Sequence, residues 1–399
     1  MLTRLFLWIA LVLLTGCSVM DKAKDWLSSG EETNDPPAPL TEFTQRLKVI
    51  ELWSEGTGGG TDERYLKLAP IAANQRLYTA DFDGEVLALD ATNGSKIWSE
   101  SVAEKSGFWS RDNGTRVTGG PGYGENTILL GTNKGNVLAL AADTGKELWN
   151  TTVSSEVLSA PHRAAGTVVV RTIDGKLFGL DAENGRRLWV YERSVPTLTL
   201  RGTSAPVIYN NFVIAGFDEG RLIAVELRTG KLIWEVRITT ARGSSELDRM
   251  VDIDSDPVVI DGVIYVATYQ GHMAAVQLEN GRVIWNRDLS SYAGFSVDNN
   301  NVYVTDDNSH VLAFDRFSGT PLWEQKKLHA RRITAPAVIG KYLVVGDYAG
   351  YLHWMSKDTG NFVARNLVSK DPIIATPLVV GKFIYAFCSN GELAAYTYR

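Results

Sequence analysis

Cysteine and histidine are scarce in this sequence. Two thiols, Cys17 and Cys388, are too few for the disulfide framework that staples small secreted domains. The five histidines, His162, His272, His310, His329 and His353, are scattered without the spacing of metal ligands, so no metal site is expected. A basic excess is also missing. The net charge is −6, which argues against a nucleic-acid partner, because that would call for a basic face. No segment combines apolar residues at helical spacing with capping residues, which excludes a helical solenoid. Nucleophile elbows, phosphate-binding loops and His-Glu-x-x-His runs are absent. Asp252, Asp254 and Asp256 alternate as in a calcium loop, but Pro257 stands where glycine is required and no glutamate closes the loop. Gly58-Gly59-Gly60 lacks the strand-to-helix setting of a phosphate site and reads as a flexible linker.

The N-terminus carries an address. Arg4 precedes an apolar run, Leu5 to Leu14, that falls short of the about 20 residues needed to cross a bilayer. The run ends in Leu14-Thr15-Gly16-Cys17, the pattern of a lipobox. Residues 1–16 are thus expected to be a signal peptide, with Cys17 lipidated and becoming the first residue of the mature chain. Acyl chains anchor such a product without a spanning helix. Ser18 follows the cysteine where an aspartate would mark inner-membrane retention, so the expected location is the periplasmic face of the outer membrane. Residues 17–46 are polar and contain Pro36, Pro37 and Pro39, and they read as a flexible tether reaching ~30 Å. The remaining thiol, Cys388, lies in an apolar run and reads as a buried small hydrophobe.

Residues 47–399 repeat one sentence. A small residue and a proline open the copies, as in Ser159-Ala160-Pro161, Ser204-Ala205-Pro206, Ser255-Asp256-Pro257, Thr334-Ala335-Pro336 and Ala375-Thr376-Pro377. A β-rich run follows, then a turn ending in Gly84, Gly135, Gly175, Gly220, Gly271 or Gly350, with Ser309 in one copy. An alternating strand such as Val86-Leu87-Ala88-Leu89 leads to a second turn, with Gly94, Gly145, Gly185, Gly230, Gly281, Gly319 and Gly360. Four residues beyond that glycine stand Trp98, Trp149, Trp189, Trp234, Trp285 and Trp323; Ala364 breaks the series. The hairpin spacing is rigid while the connections vary.

Turns of this kind need residues that tolerate positive φ. The alternating strands between them bury both sheet faces only if such sheets stack side by side, and tryptophan is large enough to fill the wedge between neighbours. The expected fold is therefore all-β, an eight-bladed β-propeller of four-stranded antiparallel blades. The count of eight comes from the ends. The last copy has Asn390-Gly391 and a strand to Tyr396, but its next turn would fall beyond Arg399. Leu47 to Trp53 carries a blade-ending tryptophan with no hairpin before it. The N-terminal strand is expected to complete the last blade and seal the ring.

Numbering the strands A to D outwards, the B–C turns and the D-to-A linkers share one face. The longest linkers, Trp98 to Pro121, Trp189 to Pro206 and Trp234 to Pro257, lie there, and two of them flank blade four. The linker before that blade carries Leu198, Leu200 and Arg201; the one after it carries Asp252 and Asp254. An apolar pair with a charged rim has the makeup of an interaction patch. The alternative is that the leucines begin strand A and point into the core while Arg201 pairs with an aspartate.

The run Asp143-Thr144-Gly145-Lys146-Glu147-Leu148-Trp149 resembles the repeat of pyrroloquinoline-quinone-type propellers. The dehydrogenases among them hold their cofactor with a vicinal cysteine pair and calcium ligands, which this chain lacks, so no cofactor is expected. Within that superfamily, the lipobox, the eight blades and the two linkers resemble the BamB family, lipoproteins of the β-barrel assembly machinery of the Gram-negative outer membrane. The resemblance implies a non-catalytic scaffold, not an enzyme, gripping the POTRA domains of BamA through Leu198, Leu200, Arg201, Asp252 and Asp254. Unfolded outer-membrane proteins are a second implied partner, through β-augmentation of blade edges. A quinoprotein-like periplasmic enzyme and a ligand-binding propeller are the rival readings.

Overall fold

The computed structural model describes residues 35–61, 66, 68–102, 114–193, 204–239 and 251–399. Within them the chain forms eight four-stranded sheets. Blades one to seven occupy residues 71–101, 117–152, 162–192, 207–237, 258–288, 294–325 and 337–367. Blade eight draws on both ends of the chain: Leu378–Val380, Phe383–Phe387 and Glu392–Tyr398 are joined by Val49–Gly56 at the outer edge. Val49 lies opposite Tyr398 and Gly56 opposite Glu392. This is the expected eight-bladed ring with its N-terminal latch. Among the described residues the helical content is one 3-10 turn, Asp218–Gly220.

Burial follows from position in the blade. The second and third strands, such as Thr167–Arg171 and Lys176–Asp181, are buried along almost their whole length because another blade covers each face. The outer strands alternate: in Arg187–Glu192 only Trp189 is buried. The apolar clusters accordingly form between blades. One joins Ile214, Leu222 and Trp234 of blade four to Ile264, Val266 and Val276 of blade five. Cys388 is fully buried in the cluster between blades seven and eight, and burial pushes its thiol up to about 12.

One contact explains both periodic residues of the repeat. Each blade-ending tryptophan stands over the second-turn glycine of the next blade. A Cβ on Gly230 would lie 2.5 Å from Trp189 Cε3, and the same holds for Gly145 against Trp98, Gly185 against Trp149 and Gly319 against Trp285. The indole N–H then donates across the blade boundary: Trp189 to the Leu227 carbonyl at 2.9 Å, Trp234 to Leu278 at 2.8 Å, Trp98 to Ala142 at 2.9 Å. The glycine is needed twice, for φ near +70° and for room under the indole.

The break at Ala364 has a structural cause. In the other blades the tryptophan pairs across to a small residue, as in Ala224 with Trp234 and Ala313 with Trp323. In blade seven the same pair is inverted: Trp354 lies opposite Ala364. Trp354 is fully buried, donates to Asn366 Oδ1 at 3.0 Å and meets the Tyr398 ring of blade eight at 6.0 Å. Ser309, the exception at the first turn, takes φ +64° as Gly84, Gly135, Gly175, Gly220 and Gly350 do, while in blade five Gln270 takes the positive φ instead of Gly271.

Two segments expected to be linkers are docked. Gly58–Gly60 is not a free spacer: the Gly59 N–H donates to Asp81 Oδ2 at 2.9 Å, and a Cβ on Gly60 would lie 2.1 Å from the Ser389 carbonyl. These glycines bring the closing strand's exit against the turns of blades eight and one. Of the tether expected over 17–46, residues 17–34 lie outside the described residues, and residues 38–46 lie along blade seven as a strap. Ala38 N–H donates to the His329 carbonyl, and the amides of Arg46 and Leu47 both donate to the Val363 carbonyl. Phe43 stacks on Phe362 at 5.5 Å between ring centroids.

A buried relay holds the strap. Asp347 Oδ2 accepts from Arg331 and from His353 Nε2, each within 2.8 Å. Arg365 Nε donates to His353 Nδ1 at 3.1 Å, so the imidazole is neutral with its proton on Nε2. The two arginines then grip the strap backbone, Arg331 at the Ala38 carbonyl and Arg365 at the Thr41 carbonyl, both at 3.1 Å. Burial holds His353 below its ordinary pKa; Asp347 opposes this, and the charges of Arg365 and Arg331 add to it. Burial works to raise the Asp347 carboxyl, but hydrogen bonds from His353, Tyr351 N–H and Arg331 outweigh it and hold it low.

Two outcomes follow. Gly262 has φ +74°, and a methyl placed there would have nothing within 4 Å, so Gly262→Ala should cost only the backbone strain, about 1–2 kcal/mol. Gly230→Ala adds a clash with Trp189 and should lose about 1–3 kcal/mol more, read from urea unfolding midpoints. The relay also predicts acid sensitivity. The unfolded chain takes up a proton at His353 near 6.5 while the folded chain resists it, so acid favours unfolding. The melting temperature should drop as pH falls below about 6.5, and His353→Gln should flatten that dependence.

Candidate docking face

The turn between strands B and C and the linker leaving strand D meet at one end of each blade. In blade three the Arg193 N–H donates to the Gly175 carbonyl, and in blade four Ile238 donates to Gly220. Every long linker therefore starts on the same face. Around blade four the two expected linkers come together: the Ala205 N–H donates to Asp256 Oδ1 at 2.7 Å, across 51 positions of sequence.

The second linker is built into the structure. Val251 and Ile253 are 1% exposed, and Ile253 presses on Gly216, where a Cβ would lie 2.3 Å from its Cγ2. Ser255 Oγ donates to the Ala267 carbonyl at 2.8 Å. The alternating aspartates thus fall between anchoring apolar residues. Asp252 accepts from the Glu219 N–H at 3.3 Å through Oδ1, while its own carbonyl accepts from Tyr269 at 3.0 Å. Asp252 and Asp254 are 5% and 7% exposed, so their carboxylates are enclosed by this chain. Leu198, Leu200 and Arg201 lie outside the described residues, as does Cys17.

Sequence reasoning missed the cation at the centre of this face. Arg171, at the end of strand B of blade three, is 3% exposed, donates to Ser204 Oγ at 3.1 Å and lies 4.6 Å from the centroid of the Phe217 ring. Burial lowers its pKa, opposed by the carboxylates of Asp218, Asp254, Asp252 and Asp256. Asp218 is itself pushed up, first by burial and then by Asp252 and Glu219, with Arg171 pulling the other way. A signal was present. Four residues before the first-turn glycine the other copies carry Ala80, Gly131, Gly216, Ala267, Gly346 and Phe387, with Thr305 before Ser309; Arg171 is the one charge.

Outside this centre, blade four carries an ionic ladder over its turn and outer strand. Arg193 and Arg221 both pair with Glu235, and Arg221 and Arg237 with Glu219. The face thus has a buried, carboxylate-rich middle and an exposed rim of alternating charge. Nothing in that set resembles an acid–base pair or a nucleophile with its base, because each carboxylate on the rim is committed to an arginine.

Comparison with known proteins gives the lineage. The family model for the outer membrane protein assembly factor BamB matches residues 83–325 and 308–399. The BamB of Pseudomonas aeruginosa is 43% identical over 93% of this chain and 95% of its own length. That of Salmonella typhimurium is 38% identical over 98% and 97%. The crystal structure of BamB from Moraxella catarrhalis, 27% identical, superposes with a TM-score of 0.78 over 88% of this chain and 100% of that one. A europium-containing methanol dehydrogenase superposes with a TM-score of 0.70 at 14% identity, a likeness of fold alone. Matched by that family model along most of its length and by relatives from end to end, the chain belongs to the BamB family of outer membrane protein assembly factors.

Proposed function

We propose that this chain is a lipid-anchored, non-catalytic scaffold of the outer-membrane β-barrel assembly complex, docking on the POTRA domains of BamA through the face around blade four. The observation that carries the reading is the junction of the two long linkers at Ala205 and Asp256, on the face to which the longest connections run. In this reading Leu198 and Leu200 bury apolar area on the partner and Arg201 meets a partner carboxylate. Because Asp252 and Asp254 are enclosed, their part is to position Arg201 and the linker rather than to touch the partner themselves. Cys17 carries the acyl chains, and the propeller works on the periplasmic side of the outer membrane. Extended outer-membrane proteins add to exposed blade edges by main-chain pairing.

Two experiments test this. Arg201→Glu should abolish co-purification with BamA while the protein stays folded; undiminished recovery would remove the patch from consideration. Cys17→Ser should move the protein from the membrane pellet to the soluble periplasmic fraction, and a variant that still sediments with membranes would rule out the anchor.

A further inference from the structure

The five histidines are far apart in sequence, but folding brings two of them together on blade six. His310 immediately precedes strand C there and His329 lies in the linker to blade seven; His310 Nε2 and His329 Nδ1 are 3.1 Å apart. On its other side, His310 Nδ1 lies 3.2 Å from Asp306 Oδ2 and 3.4 Å from Glu324 Oε1. One ligand atom from each of Asp306, His310 and Glu324 falls within 4.8 Å of the other two. We propose that Asp306, His310 and Glu324 form a zinc site, with His329 as its outer support.

Three features of the geometry support it. A tetrahedral zinc ion with bonds of about 2.0–2.1 Å has ligand-to-ligand edges of roughly 3.3–3.4 Å, close to the separations at His310 Nδ1. Each carboxylate has a spare oxygen. Asp306 Oδ1 is used by the turn, accepting from the amides of Asn308 and His310, which leaves Oδ2 for the site. Lys326 Nζ pairs with Glu324 Oε2 at 3.0 Å, which leaves Oε1. The outer contact is also of the right kind. A histidine bound to metal through one nitrogen donates its other N–H to a fixed acceptor, and His329 Nδ1 stands at that place.

The donor set chooses the metal. An imidazole nitrogen with two carboxylate oxygens suits a first-row divalent ion, whereas calcium and magnesium prefer oxygen alone. Three protein ligands with Glu324 part-exposed leave a fourth position for water. An open fourth position is the habit of catalytic zinc, but what the placement of these ligands supplies is a tie between elements. The ligands tie the first turn of blade six to its outer strand, and His329 extends the tie to the linker. The backbone carbonyl of His329 accepts from Ala38, so the ion would stiffen the seat of the strap. This holds whether or not the blade-four face docks on BamA.

The test uses the mature chain in detergent, stripped by chelation and titrated with Zn²⁺ in a calorimeter. One equivalent should bind, with no saturable heat from Mg²⁺ or Ca²⁺, and the melting temperature should rise. Glu324→Gln, a near-isosteric change at a part-exposed strand position, should weaken binding at least tenfold with an unchanged far-UV spectrum. His310→Ala should remove binding, and His329→Ala should weaken it roughly ten- to a hundredfold. Substitution with Co²⁺ should give the intense visible bands of a four-coordinate site. Absence of saturable zinc binding, affinity unchanged in both Glu324→Gln and His310→Ala, or the weak bands of six-coordinate cobalt would each overturn the assignment.

Discussion

The ring depends on a contact between an indole and a glycine. A four-stranded blade cannot cover its own two faces, so its stability rests on how reproducibly it meets its neighbour. Here the outer strand sets the distance. Trp189 lies against Gly230, Trp234 against Gly281 and Trp285 against Gly319, and each indole N–H reaches a carbonyl of the blade it covers. Apolar side chains alone would let blades slide past one another, because their attraction has no direction. The hydrogen bond and the absent Cβ give each boundary one register. That is why the spacing from glycine to tryptophan is rigid while the linkers vary.

Closure by the N-terminal strand forces the exception. Blade eight has no hairpin between its third and fourth strands, because Tyr398 and Val49 come from opposite ends of the chain. No turn glycine exists there for a tryptophan of blade seven to cover. The bulk moves instead to the neighbouring strand as Trp354, while Leu47, arriving with the strap, packs in the same cluster as Trp354, Ala364 and Tyr396. The substitution at Ala364 and the latch are thus one event in packing. A blade read alone at Ala364 looks weakened; together with its neighbour it is complete.

The periodic part of this fold was legible because its causes are local: positive φ at a turn, alternation along a strand, a large ring at a fixed offset. Those signals located all eight blades and the closing strand. What escaped notice depends on distant partners. Pro39 to Arg46 has the makeup of a tether, yet Arg331 and Arg365, some 300 residues away, hold the strap by its carbonyls. Gly58–Gly60 has the makeup of a spacer, yet its missing side chains are what let it pass the Ser389 carbonyl. Around blade four the burial of Asp252 and Asp254 was not readable, and Arg171 showed only as a charge at a position of mostly small residues.

The turn that opens each third strand shows how one scaffold acquires different local chemistry. Three residues before its last position, a side-chain oxygen accepts the amide that closes the turn: Asp81 from Glu85, Thr268 from His272, Asp306 from His310, Asp347 from Tyr351. A threonine spends its one oxygen there. An aspartate has a second oxygen, already aimed along the face, at no added cost in backbone order. Asp81 uses it for Gly59, Asp347 for Arg331 and His353, and Asp306 for His310. Two of these hold the N-terminal segments in place, and Ala38 enters beside the linker of His329 and Arg331. The chain therefore joins the propeller on the face that bears its long linkers.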